Sequence, residues 1–172
     1  MNKAMNTIGY ISAAMLLLAA HSAAAMCWND IPATTPDRDF TLHNDGTVTH
    51  NKTGLMWMRC SLGQTWDGST CTGKFNSISW DSAVIAAQNH SFAGHSDWRL
   101  PNRYELARLE EDRCTKPAVN TRIFPGVTGM IPFWSSSVDR EGFVWYVSLY
   151  NGRADRGSKA YNNQVLLVRA GK

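Results

Sequence analysis

The residues with the greatest chemical potential in this chain are cations gathered at two places. Arg99, Arg103, Arg108, Arg113, Lys116 and Arg122 fall between positions 99 and 122, and Arg153, Arg156, Lys159 and Arg169 lie near the C-terminal end. Arginine presents a planar fork of donors and lysine a mobile point charge, so the chemistry they serve is recognition of oxyanions. If the two groups share a face they form an anion-binding surface; otherwise they only keep the surface solvated. The candidates for ligand contact are Arg103, Arg108, Arg113, Lys116, Arg153, Arg156 and Lys159. A net charge of +3, from 17 basic and 14 acidic residues, gives no reason to invoke nucleic acid. Rings are a second route to a sugar, because an aromatic face can cover the C–H face of a pyranose. Of seven tryptophans, Trp57, Trp80, Trp98, Trp134 and Trp145 sit in apolar patterns and are assigned to the core. Trp66, Tyr150 and Tyr161 have polar neighbours and are the candidates for exposed stacking.

Other chemistries find less support. His43, His50, His90 and His95 make no metal-spaced pair on a helix, there is no Gly-x-Ser-x-Gly elbow, and Ser135-Ser136-Ser137 lacks an assignable base. No two of Cys27, Cys60, Cys71 and Cys114 stand about two to four residues apart, as a zinc knuckle requires. An even cysteine count in an exported chain reads as two disulfides. The polar excursion Ser61 to Thr70 favours Cys60–Cys71, which leaves Cys27–Cys114; other pairings stay open on spacing alone. The sequence therefore predicts no catalysis, no cofactor and no metal.

The elements that must position the cations are legible in part. From Asp97 to Leu109 a loop hands into a helix: Pro101 lies ahead, Asn102 can cap, and Glu105 completes a capping box, so the helix starts at Arg103. Tyr104, Leu106 and Leu109 mark its buried stripe, while Arg103, Arg108, Glu110, Glu111 and Asp112 are assigned to water. Arg99, between Trp98 and Leu100, reads as a partly buried structural arginine paired with Asp97 or Glu105. Ser79 caps another helix, Trp80 to about Asn89, with Trp80, Ala83, Val84 and Ala87 at helical spacing. Phe40 to Arg59 predicts a meander turning at Asn44-Asp45-Gly46 and Asn51-Lys52-Thr53-Gly54. After Cys114 a Pro- and Gly-broken stretch runs to Pro132, a loop of the length that often carries a binding surface. Strands return at Phe133 to Ser136 and at Phe143 to Tyr150, with Phe143, Trp145, Val147 and Leu149 on one side. Asn151-Gly152 is a hairpin turn, Arg153 to Asn163 a ragged strand or loop, and Gln164 to Arg169 a buried final strand. The class is α+β with an antiparallel sheet.

At the N-terminus, Lys3, an apolar run from Ile8 to Ala20 and Ala23-Ala24-Ala25 predict a signal peptide over residues 1–25, cleaved before Met26. Residues 26–39 form a segment tethered by Cys27, and residues 40–172 a single domain. Met26 occupies the position where a lipobox needs a small residue, which argues against lipidation of Cys27. The mature chain is expected to have no membrane span and to be periplasmic, extracellular or at the cell surface.

Between Phe40 and Gly171 the chain resembles the C-terminal domain family of the Legionella collagen-like adhesin. The resemblance rests on Asp45-Gly46-Thr47-Val48, Thr53-Gly54-Leu55-Met56-Trp57, Trp80 with Ala83, and Asp97-Trp98-Arg99-Leu100-Pro101-Asn102 followed by Glu105-Leu106. Ile123-Phe124-Pro125, Phe133-Trp134-Ser135-Ser136-Ser137 and Val168-Arg169 complete it. It implies a C-type lectin-like fold, in which two helices flank a twisted antiparallel sheet with long loops, and a secreted, adhesin-like domain recognising acidic or sulfated glycans at a cell or host surface. The alternative is a structural subunit of an envelope or extracellular assembly that binds protein partners. The collagen-like stalk of the namesake is absent from this sequence, so self-association would have to supply multivalency. Trp28-Asn29-Asp30 mimics the calcium-associated tripeptide of sugar-binding C-type lectins but stands at the wrong end of the chain, and no Glu-Pro-Asn or Gln-Pro-Asp accompanies it. A related fold serves formylglycine-generating enzymes, whose chemistry needs reactive cysteines; here the four are read as structural.

Overall fold

The computed structural model describes residues 25–171, so the predicted signal peptide lies, except for Ala25, outside the described residues. In chain order the strands are β1 (Met26–Cys27), β2 (Phe40–Leu42), β3 (Thr47–His50), β4 (Leu55–Met58), β5 (Thr65–Trp66) and β6 (Cys71–Thr72). Helices α1 (Trp80–Gln88) and α2 (Arg103–Ala107) follow, then β7 (Cys114–Thr115), β8 (Phe133–Val138), β9 (Val144–Ser148), β10 (Arg153–Gly157) and β11 (Val168–Ala170). Two antiparallel sheets carry the fold, one in the order β11-β4-β3-β2 and one β10-β9-β8, and two short ribbons pair β1 with β7 and β5 with β6. The class is α+β, and both Cys27–Cys114 and Cys60–Cys71 are bonded.

Local chemistry makes the first sheet. The Asp45 carboxylate accepts the Thr47 N–H and hydroxyl, and Gly46 takes the turn at a φ of 85°. A side chain at Gly46 would meet the Trp66 ring at 2.6 Å, so this glycine serves a close approach as well as a turn. The last stretch then joins the two sheets. Gln164 bridges Phe133 of β8 in parallel, and Val168 pairs with Trp57 of β4. Between them the side chains alternate: Leu166 and Val168 enter one apolar cluster with Trp57, Leu106, Phe124, Phe133 and Val147, whereas Val165 and Leu167 enter another with Met58, Ala83, Trp98, Trp134 and Val144. With a core on each side, the stretch needs a continuous apolar run, and it has one.

Several expectations change. α2 ends at Ala107; Leu106 and Leu109 are buried, but Tyr104 is 64% exposed, because a helix this short turns only one edge to the core. Glu111 is buried, since its carboxylate accepts N–H groups from Thr34, Thr35 and Arg113 and the Thr35 hydroxyl at 2.8–3.2 Å. The long loop is largely core: Val119, Ile123, Phe124 and Val127 pack in the first cluster. On β9, Val147 is buried as expected, but Val144 is buried on the opposite face, because the sheet is covered on both sides; Phe143 lies just before the strand and is 42% exposed. Trp80 and Trp145 are half-buried, while Trp57, Trp98 and Trp134 are core. Among the described residues no helix is long and apolar enough to cross a membrane.

Leu167→Ala is expected to lower stability by about 2–5 kcal/mol through a cavity between the sheets, read as a fall in the urea midpoint; a loss below about 1 kcal/mol would contradict this packing. Burial lowers the His50 and His90 imidazole pKa values, so the unfolded chain takes up protons first as pH falls. Their contribution to stability is complete above about pH 6.5 and is lost below it. A urea midpoint that is flat from neutral pH to pH 5 would contradict this.

Candidate functional site

The site grows from the start of α2. The Asn102 side chain accepts the N–H groups of Tyr104 and Glu105 at 2.9 Å each, and Glu105 Oε2 accepts the Asn102 N–H at 2.7 Å. The same carboxylate takes the fork of Arg99 at 2.8 and 2.7 Å, so one acidic group fixes both the loop and the helix entry. Burial raises the Glu105 carboxyl pKa, but the Arg99 guanidinium and the Asn102 amide outweigh it and hold the group below its ordinary value. Arg99 itself is exposed rather than partly buried, and it pairs with Glu105; Asp97 instead meets Arg169 at 2.6 Å.

This entry fixes Arg103, whose N–H donates to Ser137 Oγ at 3.0 Å. Its guanidinium carbon lies 4.3 Å from the Trp145 ring centre and 4.4 Å from that of Tyr104, and the head also donates to the Tyr104 hydroxyl. Arg156 stands directly opposite Trp145 across the β9–β10 ladder, so their side chains share a face. Its guanidinium carbon sits 5.9 Å from the Phe143 ring centre, and its Nη1 pairs with Asp139 and Glu141. Desolvation pushes the Asp139 carboxyl up, but Arg156 and the N–H groups of Phe143 and Glu141 hold it below its ordinary value. The result is a row of rings and guanidinium groups: Tyr104, Arg103, Trp145, Arg156 and Phe143. Arg103 makes no salt bridge among the described residues, so the row carries an uncompensated positive charge between two aromatic faces.

The two basic groups of the sequence therefore meet at Arg103 and Arg156; the other candidates go elsewhere. Lys159 lies 4.6 Å over the Trp80 ring, on the α1 side. The Tyr161 ring approaches Gly157 beside Tyr146, also on the face of β9 opposite Trp145. Arg108 lies close enough to depress the His50 pKa. Arg113 lines a cavity beside the N-terminal segment, Lys116 and Tyr150 line a neighbouring one, and Arg153 is exposed at the start of β10. Trp66 is not an exposed stacking ring: it is half-buried, Arg59 covers it at 4.2 Å, and its indole N–H donates to the Asn44 carbonyl at 3.2 Å. The sequence missed Tyr104, Phe143 and Trp145 as the frame of the site. The available signal was the alternation of Phe143 with Trp145 on one strand; the register that sets Arg156 beside them was invisible. Among the described residues no three His, Cys, Asp or Glu side chains converge as metal ligands would.

Asn102→Ala is expected to cost about 1 kcal/mol, and Glu105→Ala a comparable amount, by leaving helix donors unpaired. An unchanged denaturation midpoint in either variant would contradict the capping geometry. With this geometry in place, the family model described as Lcl C-terminal domain matches residues 46–169. No curated protein matches the sequence.

Proposed function

The chain belongs to the Lcl C-terminal domain family, and we propose that it is a non-enzymatic binding domain recognising acidic or sulfated glycans through the Arg103 row. Membership places the chain in an adhesin-like surface protein family, and with two disulfides it points to an exported protein. The proposal extends to a C-type lectin-like architecture, supported by two helices packed with antiparallel sheets and by β11 closing against β4 near the first strands.

One observation carries the glycan reading: the Arg103 guanidinium is held between the Tyr104 and Trp145 rings without a carboxylate partner. A cation so placed is pre-organised, since packing on rings removes rotamer freedom before the ligand arrives. A sulfate or uronate group would take the fork, and the exposed Tyr104 and Phe143 rings would cover the sugar's C–H face. Arg156 is already neutralised by Asp139 and Glu141, so it contributes shape and hydrogen bonding more than net charge.

Titration calorimetry with a sulfated oligosaccharide tests this reading. Affinity is expected to fall steeply between low and physiological salt, where screening acts over about 8 Å. Arg103→Ala should weaken binding about tenfold, the scale of losing one charge-assisted contact, whereas Lys159→Ala should not. Salt-independent binding, or undiminished binding by Arg103→Ala, would overturn the proposal.

A further inference from the structure

We infer a second binding surface, independent of the Arg103 row: the open edge of β1, with the two cavities that Cys27 lines, docks an extended acidic segment of a partner protein. The backbone supplies the first reason. Among the described residues β1 pairs only with β7, in the register Met26↔Thr115 and Cys27↔Cys114, and the Trp28 N–H donates to the Arg113 carbonyl at 2.9 Å. That bond flanks the Cys27–Cys114 pair, whose α-carbons stand 4.1 Å apart, the close spacing of a non-hydrogen-bonded antiparallel pair. The N–H and C=O of Cys27 therefore point away from β7, toward the free edge, and Cys27 is an exposed residue. An extended chain can take up both groups by adding a strand; a saccharide has no matching backbone ladder.

The walls give the second reason. A cavity of about 480 Å³ is lined by Arg38, Arg113, Asn120 and Arg122, and a neighbouring one of about 740 Å³ by Lys116, Pro117, Pro125, Val127 and Tyr150. Cys27 and Thr121 belong to both. The carboxylates in the first are already occupied: Glu111 by the N–H groups of Thr34, Thr35 and Arg113, and Asp37 by Arg122 and Asn120. Arg38, Arg113 and Lys116 make no salt bridge among the described residues, so the edge runs from a basic cavity to an apolar one. Met26 and Trp28, 56% and 48% exposed, stand on this same strand and the residue after it and offer apolar anchors. The complementary ligand is a strand with carboxylates at one end and apolar side chains at the other.

The test uses the disulfide-bonded protein and two ten-residue peptides, each with glutamates at one end and alternating valine and threonine at the other, in opposite chain directions. One direction is expected to bind, and to shift the Cys27 amide signal in the nuclear magnetic resonance spectrum. N-methylation of alternate peptide residues should weaken it at least about tenfold by removing strand bonds. Arg38→Glu with Lys116→Glu, both exposed positions, should weaken it by a similar factor, whereas Arg103→Ala should leave it unchanged. Failure of both peptides to bind, indifference to N-methylation, or an equal Cys27 shift with a sulfated oligosaccharide would overturn the inference and leave the Arg103 reading untouched.

Discussion

The structure depends on the placement of one short run, Gln164 to Val168, between two apolar clusters. Its side chains have no solvent face to choose: those of Leu166 and Val168 belong to one core and those of Val165 and Leu167 to the other. Gln164 is the polar exception, and it is satisfied, accepting from the Ser61 hydroxyl at 3.1 Å and donating to the Ile131 carbonyl at 3.0 Å. The backbone of the run is taken up on both sides, by Pro132, Trp134, Leu62, Met58 and Arg99. The pairing of Val168 with Arg99, through bonds of 2.9 and 3.0 Å, connects this core to the surface. Arg99 reaches Glu105, Glu105 closes the cap on Asn102, and the next residue is Arg103. The orientation of the half-buried Arg103 is thus traceable, contact by contact, to a buried strand.

Local signals in the sequence carried much of the fold. The capping box spans four residues, Asn102 to Glu105, and the hairpin turns two to four, so their partners are neighbours in the chain, and both were legible. The disulfides were legible for a related reason, because a polar excursion between Cys60 and Cys71 isolates one pair. What escaped were groups whose partners are distant. Glu111 read as a surface acid, yet its donors come from Thr34 and Thr35, far earlier in the chain. Trp66 read as exposed because its neighbours are polar, but Arg59 and Gly46 reach it across the disulfide loop. Pro-broken spacing around Ile123 and Phe124 hid core residues in what composition labels a loop. At the site, Arg103 and Arg156 were each legible as cations, but their meeting over Trp145 requires both the helix entry and the β9–β10 register.

The electrostatics separate two kinds of basic surface. Along the Arg103 row the rings hold a cation in place, and the carboxylates of Asp139 and Glu141 pair with Arg156. Around β1 the cations line cavities beside an unpaired strand edge, which selects a different geometry of ligand. A single count of positive charge merges the two, whereas the contacts of each guanidinium distinguish them.

The proposed function seats an acidic saccharide on Arg103 against Trp145. The most direct measurement follows the tryptophan indole N–H signals while a sulfated disaccharide is titrated into the oxidised protein. The Trp145 signal is expected to move saturably while that of buried Trp57 stays fixed. A Trp145 signal that stays fixed while residues around Cys27 and Tyr150 move would contradict it.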